Sequence, residues 1–200
     1  MRHGETEYHA QQRLLGRIDI GLNERGWEQA RRAADFFEGI KLAAVYSSPL
    51  RRCRETAQSV ANAQGLEVVV MEGLMEVDMG EWDGRLVKEL FTSDSDLVAR
   101  WMRNPSSVSI PGGEDFSAVR VRVMAATREI TARHLGDDAV LVVAHGGPIR
   151  GIICEALGMD LDNMLRLQID LASVSAIKYF DGGIPDTAVV MLLNDTYHLR

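Results

Sequence analysis

Residues 139–149 read Ala139-Val140-Leu141-Val142-Val143-Ala144-His145-Gly146-Gly147-Pro148-Ile149. The unbroken apolar run from Ala139 to Ala144 lacks period-2 alternation, which is the pattern of a strand covered on both faces in a parallel sheet. It stops at a histidine, two glycines and a proline, and a helix is expected from Pro148 to Leu157. The opening residues, Met1-Arg2-His3-Gly4-Glu5-Thr6-Glu7, end an apolar stub in a similar way: histidine next to glycine, here with arginine on the other side. Ligands of parallel α/β sheets sit beyond the carboxyl ends of the strands. Two imidazoles at such ends, with an arginine, suit a phosphoryl group: one ring can attack phosphorus while cations hold its oxygens.

Working outward, Asn23 predicts the N-cap of a helix reaching Phe37, with Trp27, Ala30, Ala34 and Phe37 on its buried side. Leu42 to Tyr46 reads as a short strand ending at Ser47-Ser48-Pro49, followed by a helix to about Ala63. Val68 to Met71 is another strand, and Glu76 to Gly84 a loop. Leu86 to Met102 is expected to be helical in two pieces, and Phe116 to Leu135 to form a long amphipathic helix. Ser173 to Phe180 and Ala188 to Asn194 read as a hairpin through Gly182-Gly183 at the sheet edge. The fold class expected is α/β: a three-layer sandwich with a mainly parallel central sheet flanked by helices and a small helical cap. Residues 1–200 are expected to form a single domain, with 84–112 as a cap insertion. Only Met1 and Arg2 precede His3, whereas a strand needs about five residues. The first strand is therefore expected to be truncated, and the sheet weakened or differently completed there; a start codon assigned too late would explain it.

Two hundred residues with 46% hydrophobic and 26% charged are ordinary for a globular domain. The net charge of −7 argues against nucleic acid or an anionic membrane as the main partner. The sequence shows neither a run of ~20 apolar residues nor a signal peptide, so a cytoplasmic location is expected. Cys53 and Cys154 lack metal-type spacing and read as buried thiols.

At this point the chain resembles the histidine phosphatase superfamily, the phosphoglycerate mutase-like proteins. Arg2-His3-Gly4-Glu5-Thr6 matches its defining motif. Ser48-Pro49-Leu50-Arg51-Arg52-Cys53-Arg54-Glu55-Thr56-Ala57 matches its second block, and Glu76-Val77-Asp78-Met79-Gly80-Glu81-Trp82-Asp83-Gly84 the block holding the general acid. Pro111-Gly112-Gly113-Glu114 and Ala144-His145-Gly146-Gly147 match two later blocks, all in family order. The resemblance implies a metal-independent phosphatase without cofactor, acting on a small phosphorylated metabolite through a phosphohistidine on His3. It implies catalytic roles for His3, Glu76 and His145, and substrate contacts from Arg2, Arg52, His9 and Gly146. Sugar phosphates, phosphoglycerates or a nucleoside-like phosphate such as α-ribazole phosphate are the substrates it suggests.

The chemistry fits these residue types. Uncatalysed phosphomonoester hydrolysis is slow enough to need up to ~10²¹-fold acceleration, so division of the barrier through a covalent intermediate is expected. Arginines beside His3 would keep its ring neutral and supply planar forks for phosphate oxygens. Glu76 would protonate the leaving oxygen and then activate water. Glu72, Asp78 and Glu81 are its nearby rivals, while Arg51 and Arg54 read as solvated. The family commonly has Asn where this chain has His9, and Gln where it has Leu15; Leu15 cannot hydrogen-bond. A phosphoglycerate mutase would use the same residues but shield the phosphohistidine from water, and the mutases of this family carry an insertion this chain lacks. A non-catalytic phosphate-binding member is a third reading. A cysteine phosphatase is not supported, because Ser59 and Asp160 stand where its Arg would be. Apolar residues Phe91, Leu97, Trp101 and Met102 either roof the pocket or pack the cap, and the edge near Ser173 to Asn194 is open to pairing in a homodimer.

Overall fold

The computed structural model describes residues 1–134, 136–180 and 188–200. Its sheet is short and parallel. β1 (Ala44–Ser47) lies between β2 (Val68–Val70) and β3 (Val140–Val143), with Val45 opposite Val68 and Leu141. Side chains alternate across it. Val45, Leu141 and Val143 face one apolar cluster with Ala33, Phe37, Cys53, Ala57 and Val60, from α2 (Glu24–Phe37) and α3 (Arg51–Gln64). Tyr46 and Ala144 face the other, with Val119, Val123, Ile130, Ile149 and Ile153, from α6 (Phe116–Arg133) and α7 (Gly146–Ala156). Helices thus cover both faces, as a three-layer α/β sandwich requires.

Asn23 caps α2 as expected, its side chain accepting from the Gly26 amide at 2.8 Å. The buried face differs from the expected one: Gly26, Gln29, Ala30, Ala33 and Phe37 are inside, and Trp27 is 42% exposed. The helix is turned by a backbone contact. A Cβ at Gly26 would lie 2.1 Å from the Glu5 carbonyl oxygen, so only glycine lets α2 rest on the His3-Gly4-Glu5 loop. The start of α7 is also earlier than Pro148, at Gly146, which makes His145 the residue before the first helical turn.

The first strand is reduced to an isolated parallel bridge between Arg2 and Ala144. The Met1 amine donates to the Val142 carbonyl at 2.8 Å, and the Arg2 amide donates to Ser173 on the opposite side at 3.0 Å. Residues 1–3 therefore occupy a space one strand wide. Past Met1 that space opens into an apolar cavity of about 890 Å³ lined by Phe37, Leu42, Val140, Ile153, Val174 and Ile177, among others. β4 (Val174–Lys178) and β5 (Val189–Asp195) form a separate antiparallel pair; the expected turn at Gly182-Gly183 lies outside the described residues.

Two short helices, α4 (Val87–Ser93) and α5 (Ser95–Arg103), follow the Gly80–Trp82 turn. Leu90 and Val98 are buried, and Trp101 meets Trp82 edge to face and Phe116 at a tilt, so these side chains pack the segment onto the body. Phe91 and Met102 are half exposed. Residues 84–87 hydrogen-bond to residues 12–14, tying the segment to the chain just after α1 (Glu7–Ala10). Among the described residues, no helix is long and apolar enough to cross a membrane.

Candidate active site

Three strand ends converge. His3 follows the Arg2 bridge, Ser48 follows β1, and His145 follows β3. The His3 and His145 rings stand 5.1 Å apart between centroids at 61°, both buried. The two histidines, 142 positions apart in sequence, share one site.

His3 Nδ1 lies 2.7 Å from the Gly4 carbonyl oxygen. A carbonyl only accepts, so Nδ1 carries the proton and the lone pair sits on Nε2. Burial, and then Arg52, His145 and Arg2, push the His3 pKa well below the ordinary imidazole range. The ring is therefore neutral and nucleophilic at Nε2. The Gly4 amide donates to Thr56 Oγ1 at 3.1 Å, which pins the loop to α3.

Arg52 and Arg2 bring two guanidiniums to these rings. Arg52, fully buried, donates to the Ile18 and Gly16 carbonyls at 2.9 and 2.7 Å, and Arg2 donates to Ile169 at 2.6 Å. In both, Nε is buried with no hydrogen-bond partner. Neither makes an ion pair among the described residues. Buried cations held by neutral carbonyls and left with orphaned donors are costly unless an anion completes them. Gly146 lies against Arg2 and Arg150: a Cβ there would be 3.8 Å from Arg2 Cζ and 2.9 Å from Arg150 Nη1.

Glu76 is buried, and its Oε1 accepts from the Val77 and Gly147 amides at 2.9 and 3.2 Å. Burial raises its pKa, opposed by the Val77 amide, Arg52, Arg2 and the Gly147 amide. Its rivals lie elsewhere: Glu72 and Glu81 are exposed, and Asp78 pairs with Arg17 at 3.6 Å. His145 Nε2 lies 2.8 Å from Ser48 Oγ and 3.4 Å from Cys53 Sγ, which set the ring edge-on to His3. His9 also joins the cluster, its ring 5.2 Å from His3 and its Nε2 3.4 Å from Arg2 Nη2. Leu15 is buried, and the adjoining Gly16 carbonyl holds Arg52.

Sequence reading missed Arg122. From α6 it donates to the Gly73 and Glu76 carbonyls, both at 3.0 Å, and pairs with Glu114 at 2.9 Å. Glu114 also holds Arg17 at 3.0 Å. This cluster fixes the backbone that carries Glu76. Its one sequence sign is an arginine between buried Val119, Val123 and Ala126.

A buried nest of neutral imidazoles, unpaired guanidiniums and one carboxyl at the strand ends of an α/β sandwich defines a phosphate-handling class of protein. Residues 1–195 match the family model of the histidine phosphatase superfamily, branch 1, and the chain belongs to that superfamily. A bifunctional protein of Mycobacterium tuberculosis is 40% identical over 202 residues; the match takes in 100% of this chain but 54% of that protein, so the chain spans about half its length. Phosphoserine phosphatase 1 of Hydrogenobacter thermophilus is 36% identical over 199 residues, covering 100% of this chain and 92% of that protein. Among solved structures, Bacillus stearothermophilus YhfR superposes with a TM-score of 0.91 at 30% identity, covering 100% and 96% of the two chains. A mycobacterial glucosyl-3-phosphoglycerate phosphatase gives 0.86 at 26% identity, covering 98% and 96%.

Proposed function

We propose that this chain is a metal-independent phosphatase that hydrolyses a small phosphomonoester through a phosphohistidine on His3. The observation that carries the reading is the buried convergence of the His3 and His145 rings, 5.1 Å apart, with Arg2 and Arg52, whose buried Nε donors have no partner. His3 must be neutral to attack, so it works above its pKa. Glu76 must be protonated to supply the leaving oxygen, so it works below its own. With ordinary values of about 6.5 for His and 4.3 for Glu, few molecules would hold both states. Burial and the arginines lower His3 while burial raises Glu76, so both shifts run towards the protonation states the reaction needs.

Arg2 and Arg52 hold the phosphoryl oxygens, with His9 and the Gly146 backbone beside them. His3 Nε2 attacks phosphorus as the ester P–O bond breaks. Glu76 gives its proton to the departing alkoxide, then takes one from the water that cleaves the P–N bond. His145 donates to an equatorial oxygen as charge grows. Segment 84–112 acts as a cap at the entrance, anchored through Leu90, Val98 and Trp101. The relatives named for phosphoserine and glucosyl-3-phosphoglycerate support a small, soluble phosphorylated metabolite as substrate.

The test is phosphate release from a panel of metabolite monoesters in EDTA, with His3→Ala as control, with and without 2,3-bisphosphoglycerate. EDTA-resistant turnover lost in His3→Ala supports the reading. Loss of turnover in EDTA, or isomer exchange only with the bisphosphate, contradicts it.

A further inference from the structure

The His9 ring carries a chemical difficulty at the proposed phosphate seat. Its Nε2 faces Arg2 Nη2 at 3.4 Å, and a guanidinium N–H only donates. Nε2 therefore holds the lone pair. Burial and the charges of Arg2 and Arg52 lower the His9 pKa to about 3, so the ring is neutral and its proton is on Nδ1. That proton goes to Thr6 Oγ1, 2.8 Å away. A phosphoryl oxygen arriving on Arg2 would meet the Nε2 lone pair, acceptor against acceptor.

We propose that Thr6 and His9 form a two-position hydrogen-bond switch, in which an arriving phosphoryl oxygen moves the His9 proton from Nδ1 to Nε2. The inference rests on the reading that phosphate seats among His3, Arg2 and Arg52. Thr6 suits the second position because a hydroxyl both accepts and donates. It is fully buried, and its hydroxyl makes no other hydrogen bond among the described residues. With phosphate bound, it rotates and donates to the bare Nδ1 while Nε2–H points at the oxygen. One proton leaves Nδ1 for water and one reaches Nε2 from water, so the ring stays neutral. The Thr6 backbone carbonyl separately accepts the His9 and Ala10 amides at 3.1 and 3.2 Å, so losing the hydroxyl leaves the α1 turn in place. Thr6 is thus a positioning residue that acts through His9. An asparagine at position 9 would offer its N–H to phosphate without this step.

The experiment is nitrogen-15 NMR of the histidine-labelled 200-residue chain at pH 8, titrated with inorganic phosphate, with His9 signals identified by their loss in His9→Asn. At saturation the protonated and unprotonated nitrogens of His9 exchange identities. Thr6→Val leaves Nδ1 without a donor and weakens phosphate about tenfold, as expected for a stranded buried acceptor, while Thr6→Ser stays within about twofold. In the His9→Asn background, Thr6→Val costs nothing further. His3 signals that move with phosphate while His9 keeps its pattern, or a His9 ring protonated at both nitrogens, overturn the switch alone. Equal losses from Thr6→Val in both backgrounds also overturn it. Absence of any phosphate response at His3 overturns the seat and the switch together.

Discussion

Glu76→Gln separates proton delivery from every other role of that side chain. Both short bonds at Glu76 are made by Oε1, from the Val77 and Gly147 amides, and glutamine keeps an oxygen there. The loop stays anchored by Arg122 at the Glu76 carbonyl. What is lost is the ionisable proton. Removal of a general acid–base costs roughly 10²–10⁴-fold, or about 3–5 kcal/mol of barrier. The loss must depend on the leaving group. For an alkyl phosphate, kcat/KM should fall by that full factor, since an alkoxide cannot leave unprotonated. For p-nitrophenyl phosphate, whose nitrophenolate leaves without a proton, kcat/KM should fall by no more than about tenfold. The alkaline limb of the alkyl phosphate profile, which reports loss of the Glu76 proton, should vanish. Because the folded-state pKa of Glu76 is raised, the stability it contributes is full below about 4.5 and lost as pH rises through the folded value. Glu76→Gln should therefore unfold at higher urea than the parent at pH 8. Equal losses in kcat/KM for both substrates, or an unchanged alkaline limb, would refute Glu76 as the proton donor.

Acid should loosen the fold. His3, His145 and His9 have depressed folded-state pKa values, so their stability contribution is present above about 6.5 and falls as pH drops. His9 alone, at about 3, costs up to about 1.4 kcal/mol per pH unit below 6.5, and urea midpoints at pH 7.5 and 5.5 should show a shallower drop in His9→Asn. Gly26→Ala should lower stability by more than about 2 kcal/mol and cut phosphatase activity, because its Cβ would sit 2.1 Å from the Glu5 carbonyl and displace the His3 loop; thermal unfolding and turnover check both. Extending the chain ahead of Met1 by four alternating β-branched residues should raise Tm, by filling the cavity between β3 and β4 and removing the buried amine whose pKa is lowered to about 6. No change in Tm would mean that this cavity does not accept a strand.

Much of this architecture is written locally. The apolar run before His145 makes β3, and Asn23 places the start of α2 to the residue. The ordered histidine, arginine and carboxyl blocks mark residues that the fold brings together at the strand ends. What escaped the sequence depends on contacts between distant backbones. Trp27 sits at a helical spacing that suits burial, yet Gly26 against Glu5 turns that face outward. Arg122 supports the Glu76 carbonyl from 46 positions away, a relation no local pattern encodes. The hydroxyl of buried Tyr46 lies 2.9 Å from His134 Nε2, 88 positions further along the chain. The lowered His3 and raised Glu76 proton affinities likewise arise first from burial, which composition does not carry.

Trapping the covalent intermediate tests the central claim most directly. The full chain is mixed with a phosphorus-32 monoester for milliseconds, quenched in alkali to preserve a phosphoramidate, and mapped by mass spectrometry. An alkali-stable, acid-labile phosphoryl group on His3, absent from His3→Ala, is the predicted result. Label on another residue, or phosphate release that continues undiminished in His3→Ala, would contradict it.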